Sequence, residues 1–257
     1  MDIDLSNAAR ETLGNAGLEL VRLYTGSVLE LNAYDVTAHG YAKRTDDFYL
    51  STTQNIPDAL RLPLEIDHGK RREELVQHYR TEAVRRTCEN YLVRSVSVTD
   101  ASLEEIYETA LAKFSLGMTE QRQQNEVRSS WAIDDAGRTK IAAYLVDVVG
   151  LRAPEGKQST IDMVFDRYCE IREVRHALVH NGGKLSEKNQ ARLNQLRDRL
   201  PKNLRHGSIA SARFLADRTV RISMHEMLTL RQWFYTAILG FLRESFSCSC
   251  EHGAPVD

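Results

Sequence analysis

The sequence predicts an all-α protein: a helical bundle over residues 70–246, a small N-terminal appendage at 1–68 whose structure is uncertain, and a loose tail at 247–257. Three observations predict it. Hydrophobic residues make up 42% of the chain, enough to build a sizeable core. From about residue 70 onward the apolar positions recur at three- and four-residue spacing. Ser or Thr stands where several of these stripes begin, and Asn, Gly or Pro where they end.

Taken in order, residues 1–68 give mixed signals. ETLGNAGLELVRLYTGSVLEL has room for one helix, whereas YDVTAHGYAKRTDDFYLSTTQ is turn-rich, and Pro57, Pro63 and Gly69 punctuate its end. KRREELVQHYRTEAVRRTCENYLVRSV then sets Leu75, Tyr79, Ala83, Val84, Cys88, Tyr91 and Leu92 close to one stripe, a long helix with a charged outer face. In TDASLEEIYETALAKF, Ser102 is followed three residues later by Glu105, the pattern of a capping box, so a new helix is expected to start there. RTKIAAYLVDVVGL reads as a buried helix ending near Gly150, and APEGKQS as a loop.

The next helix has both ends written into it. Ile161, Val164, Phe165, Tyr168, Ile171, Val174 and Leu178 follow one apolar face. Ser159 or Thr160 can cap its start, and Asn181, Gly182 and Gly183 stop it, because Asn and Gly tolerate the left-handed backbone of a helix end. LSEKNQARLNQLRDRL is a polar helix stopped by Pro201, and RTVRIS a short strand or extended connector. Ser223 and Glu226 form a capping box that opens a helix through MLTLRQWFYTAILGFLRESF. Trp233, Phe234 and Tyr235 in it are read as core and dimer packing. Their helical spacing with Leu230, Ile238 and Phe241 speaks against a base-stacking platform.

Charge and composition narrow the function classes. The formal net charge is −2 with both signs interspersed, which argues against a strongly basic nucleic-acid coat protein but leaves room for a small phosphate-handling site. The apolar run YTAILGFL is far shorter than the roughly 20 residues a membrane helix needs. MDIDLSNAARETLG has neither the basic nor the apolar region of a secretory signal. The four cysteines, Cys88, Cys169, Cys248 and Cys250, form no disulfide framework, and a reducing cytoplasm is the expected compartment.

The stretch EIREVRHALVHNGG carries the candidate chemistry. Arg175 and His180 are five residues apart, about 7.5 Å along a helix and rotated by roughly 140°, so they do not share a face automatically. The relaxing helix end under His180 and the long stem of Arg175 can bring them together. Such a pair suits metal-independent RNA cleavage, in which the ribose 2′-OH attacks the adjacent phosphorus to give a 2′,3′-cyclic phosphate. Histidine transfers protons near neutral pH, and arginine stabilises the charged phosphorane. One histidine does not easily serve as both base and acid, and a symmetric dimer would supply a second copy.

IREVRHALVHNGG, at the end of an amphipathic helix, resembles the signature of the HEPN superfamily, an arginine followed by four to six residues and a histidine. The helices EAVRRTCENYLVRSVSV and KIAAYLVDVVGL are similar in layout to larger bacterial HEPN domains, including the RiboL-PSP-HEPN type, over residues 70–245. The resemblance implies a dimeric helical bundle with motif helices face to face. It also implies a metal-independent endoribonuclease with RNA as substrate, acting as a toxin or anti-phage effector alongside an antitoxin or defence partner, with no cofactor. By position, Arg175 and His180 would be the catalytic pair. His176 stands where the superfamily often has asparagine. Residues 1–68 fall outside the resemblance.

Other readings weigh against this one. Arg72 with His78 and Arg218 with His225 fit the same spacing, but His78 lies mid-helix and His225 sits inside a capping box. For His180 the plain alternative is a histidine on the negative end of the helix dipole, with Arg175 a solvated charge. His176 and His180 also have metal-ligand spacing, yet Ala177 occupies the position where zinc hydrolases of that pattern carry Glu, and no metal is expected. Glu173 is an auxiliary candidate for orienting a catalytic group, and Asn181 a cap that can also reach a phosphate. Asp166, Glu170 and Arg172 read mostly as surface charges. A non-catalytic HEPN-like module that binds RNA, a nucleotide or a protein is the second functional reading.

Overall fold

The computed structural model describes residues 2–51, 56–61, 69–209 and 213–251. About 74% of the chain is helical, which makes the fold all-α. The helices are α1 (Ile3–Ala42), α2 (Arg72–Arg80), α3 (Glu82–Phe114), α4 (Glu120–Arg128), α5 (Lys140–Asp147), α6 (Ile161–His180), α7 (Glu187–Arg199), α8 (Met224–Gln232) and α9 (Phe241–Glu251). A π-helical segment, Trp233–Gly240, joins α8 to α9 without a break. Among the described residues the paired strands are β1 (Tyr49–Leu50) and β2 (Lys70–Arg71), antiparallel and two residues long.

The N-terminal segment is not an appendage. Residues 3–42 form one 40-residue helix started by Asp2, whose side chain accepts from the Leu5 amide. Leu5, Ala9, Leu13, Ala16, Leu20 and Leu31 are buried in the same core as α3, α6 and α9. α1 runs antiparallel to α3, since Thr12 meets Glu105 near one end and Glu30 meets Thr87 near the other. The Ser6 hydroxyl donates to the Phe246 carbonyl at 2.7 Å and ties α1 to α9. The turn-rich stretch begins only after Ala42 and includes β1, while Pro63 lies outside the described residues.

Two expected helix boundaries move. The stripe from residue 70 breaks at Thr81, which separates α2 from α3. No helix starts at Ser102. α3 passes straight through it, and the Ser102 hydroxyl, nearly buried, donates back to the Val98 carbonyl at 2.9 Å. Such back-bonding satisfies a serine inside a helix and removes it from capping duty. The capping boxes at Ser223 with Glu226 and at Ser186 with Asn189 are present. The tail divides: 247–251 continue α9, and 252–257 lie outside the described residues. In the π-helical segment Phe234 is fully buried, whereas Tyr235 is 53% exposed and takes no full part in the core.

Helix α6 lies parallel to α3 and antiparallel to α7. Tyr168 donates to the Val96 carbonyl at 3.1 Å, one turn from the Arg172–Asp100 pair. On the α7 side, Glu173 meets Asn189 and Asp166 meets Arg199. The six positions from Ile161 to Val174 on the expected apolar face are buried, and Leu178 is half-buried. No helix of the described residues is long and apolar enough to cross a membrane.

Candidate active site between two helices

Helix α6 ends at His180, where the sequence places its end. Thr160 caps its start by accepting from the Met163 amide. At the other end the Asn181 and Gly183 amides both donate to the Ala177 carbonyl, at 3.0 and 2.9 Å. Gly182 and Gly183 have φ of +57° and +82°, a backbone region that glycine enters without penalty. The turn is held from outside as well. The Val220 amide donates to the Gly183 carbonyl and the Leu185 amide to the Arg218 carbonyl, both at 2.8 Å, so RTVRIS is an extended connector zipped to the motif turn. Ser186 then caps α7, and the chain returns along α6.

This helical hairpin opens on a cleft of about 1080 Å³. Glu173, Arg175, His176 and Asn181 line it, together with Arg172 on α6, Lys188 and Arg192 on α7, Asp100 on α3 and Ile133. Four of the five sequence-predicted residues therefore share one cavity. His180 stands outside that lining and is exposed, but its ring packs on that of His176, with centroids 4.6 Å apart and a 44° tilt. Glu173 is committed elsewhere than expected: it accepts from the Asn189 side-chain amide at 2.6 Å and clamps α7 to α6. Asn181 does serve as the C-cap residue.

The charges of the cleft are unequally matched. Asp100 takes the Arg172 guanidinium at 2.9 Å and the Tyr168 hydroxyl at 2.7 Å, and Arg172 also lies 3.9 Å above the Trp131 ring. Burial pushes the Asp100 carboxyl up from its ordinary value, and Arg172 and Tyr168 oppose the rise. Arg172 is thus neutralised and stacked. Arg175 also feels the Asp100 carboxylate, but its Nε is buried with no hydrogen-bond partner among the described residues. A buried guanidinium nitrogen without an acceptor is costly unless an anion or water reaches it. Lys188 and Arg192 face the same space from α7. Among the described residues, no three His, Cys, Asp or Glu side chains stand together as metal ligands would.

Two residues on α6 read as surface charges are buried. Glu170 is 1% exposed and accepts from the Ser208 hydroxyl and from the Ile209 amide at 3.1 Å. Asp166 is 8% exposed and pairs with Arg199 at 3.1 Å. Their partners lie 30 or more residues away, beyond the reach of local spacing rules. The spacing of Lys188 and Arg192, four apart on a helix that follows a tight turn, could have placed both opposite Arg172 and Arg175. Nothing local marked Asp100. Comparison of the chain with protein-family models, with curated proteins and with solved structures finds no match.

Proposed function

We propose that the cleft between α6 and α7 is the active site of a metal-independent endoribonuclease of the HEPN kind. The observation that carries this reading is Arg175: its buried Nε has no hydrogen-bond partner among the described residues, and it lines a cleft that Lys188 and Arg192 also line, next in sequence to the His176–His180 ring contact. A guanidinium in that state suits a phosphate, which it can grip through two oxygens. In the proposed reaction a histidine at the helix end removes the ribose 2′-OH proton. The 2′ oxygen attacks phosphorus, Arg175 stabilises the charge on the non-bridging oxygens, and the P–O5′ bond breaks to leave a 2′,3′-cyclic phosphate and a 5′-OH. On this reading the protein acts in the cytoplasm on RNA, as a homodimer and as a toxin or anti-phage effector held by a partner protein.

The test is cleavage of a mixed-sequence single-stranded RNA with and without EDTA, by the wild type and by Arg175→Ala and His180→Ala. Cleavage that survives EDTA, ends in cyclic phosphate and falls by about 100-fold or more in both variants is the expected result. Variants that cut as fast as the wild type sink it. The second reading, a non-catalytic module that binds RNA or a nucleotide, is favoured by the position of His180 outside the cleft lining. It predicts that Arg175→Ala weakens RNA binding while no cyclic phosphate forms with any variant.

A further inference from the structure

In-line cleavage of RNA moves two protons. One leaves the attacking 2′ oxygen and the other arrives at the departing 5′ oxygen, on opposite sides of phosphorus. A chain with a single histidine at its site needs a second group, from a partner subunit or from solvent. Here the helix end carries two histidines in ring contact, at 4.6 Å between centroids. Both are exposed, and His176 lines the cleft beside Arg175.

We infer that His176 is a catalytic residue, and that His176 and His180 of one chain divide the two proton transfers between them. One ring takes the 2′-OH proton as the P–O2′ bond forms. The other, protonated, gives a proton to O5′ as the P–O5′ bond breaks. The pair ends with its proton moved from one ring to the other, and exchange with solvent resets it. Arg175, one residue before His176, holds the non-bridging oxygens. This rests on the endoribonuclease reading above. The other charged groups of the cleft are Arg172 and Glu173 on α6, Lys188 and Arg192 on α7, and Asp100 on α3. Arg172 and Asp100 pair with each other, and Glu173 is bonded to Asn189, which leaves the two imidazole rings as the groups at the helix end that carry both donor and acceptor nitrogens.

The experiment uses the full chain and two matched single-stranded oligoribonucleotides, one natural and one carrying sulfur in place of the scissile O5′. A thiolate leaves without being protonated, so the sulfur substrate needs no general acid. Wild type should give a bell-shaped pH–rate profile on the natural substrate. His176→Ala and His180→Ala should each lose about 100-fold or more in kcat and one limb of the bell. The sulfur substrate should restore one of these variants and not the other, and should not restore Arg175→Ala. His176→Asn, which keeps a polar side chain but transfers no proton, should behave as His176→Ala. A His176→Ala enzyme that keeps both limbs and a rate within threefold of wild type overturns the inference, as does rescue of both histidine variants or of neither. If the wild type makes no cyclic phosphate at all, the endoribonuclease reading fails and this inference falls with it. Loss of activity in Arg175→Ala and His180→Ala but not in His176→Ala defeats this inference alone.

Discussion

Asp166 shows how a single side chain on α6 can escape its sequence. It sits between Phe165 and Arg167 on α6, and its charge reads as solvent-facing. Its partner Arg199 arrives from the far end of α7 at 3.1 Å, and the two fold inward together. Burial pushes the Asp166 carboxyl up to about 6 from its ordinary 3.8, with Asp162 adding to the rise and Arg199 opposing it. A carboxyl raised in the folded state holds its proton more tightly than in the unfolded chain. Its contribution to stability is therefore fully present below pH 3.8, declines as pH rises toward 6, and is absent above that. Chemical denaturation of wild type and Asp166→Asn from pH 3 to 8 should show it. The stability difference between the two should change by about 3 kcal/mol at most across that window, in the direction that makes wild type lose ground as pH rises. A constant difference across the window would show that the carboxyl is not raised. Glu170, also raised by burial, belongs to the same class of buried acid.

At the scale of elements, α6 was legible and α1 was not, and the reason is how many sides each buries. α6 has one apolar face and a written cap at each end, so its bounds follow from Thr160 and Asn181. α1 packs against α2, α3 and α9, so its apolar residues spread around the helix and blur into no single stripe. Gly14, Gly17, Gly26 and Gly40 lie within it. One of them has a packing reason, because a Cβ on Gly17 would stand 3.4 Å from the Tyr235 ring. The Ser102 signal misled because the same Ser-x-x-Glu spacing occurs inside a helix when the serine bonds backward. The motif turn makes the sharpest prediction at this scale. At Gly183 an added Cβ would meet only ordinary contacts, 3.5 Å from the Val220 carbonyl and 3.7 Å from Leu178. The cost of Gly183→Ala is then conformational, from φ of +82°, and about 1–2 kcal/mol of stability should be lost in thermal or urea melts. A neutral outcome would show that the turn re-forms with another backbone and that the cap does not fix His180.

Across the whole molecule the site depends on helices the motif never touches. α6 rests on α3, and α3 rests on α1, whose Leu13 is 1% exposed in the common core. Leu13→Ala should cost roughly 2–5 kcal/mol, the range for a leucine truncated in a packed core, and should lower the melting temperature while leaving the proposed RNA cleavage unchanged in the fraction that stays folded. An N-terminal segment outside the core would give a change near zero. The hairpin of α6 and α7 was readable in outline, since a short glycine turn forces the two helices antiparallel. The cleft itself was not, because Asp100 reaches it from a helix more than 70 residues earlier in the chain.

On the proposed endoribonuclease reading, mixing chains tests how many of them one catalytic centre needs. Arg175 and His176 face the cleft of one chain, and His180 touches His176 within that chain. If the working centre is built within one chain, as the His176–His180 ring contact implies, each subunit of a dimer carries its own complete set. Mixing an Arg175→Ala chain with a His176→Ala chain after partial unfolding, so that subunits exchange, then creates no intact centre, and RNA cleavage should stay at the sum of the two inactive parents. A centre shared across the interface behaves otherwise: exchanged dimers would contain one intact arginine–histidine set each, and activity would recover to a substantial fraction of wild type. Recovery on mixing would place the partner chain's residues in the reaction and return the second proton transfer to the opposite subunit.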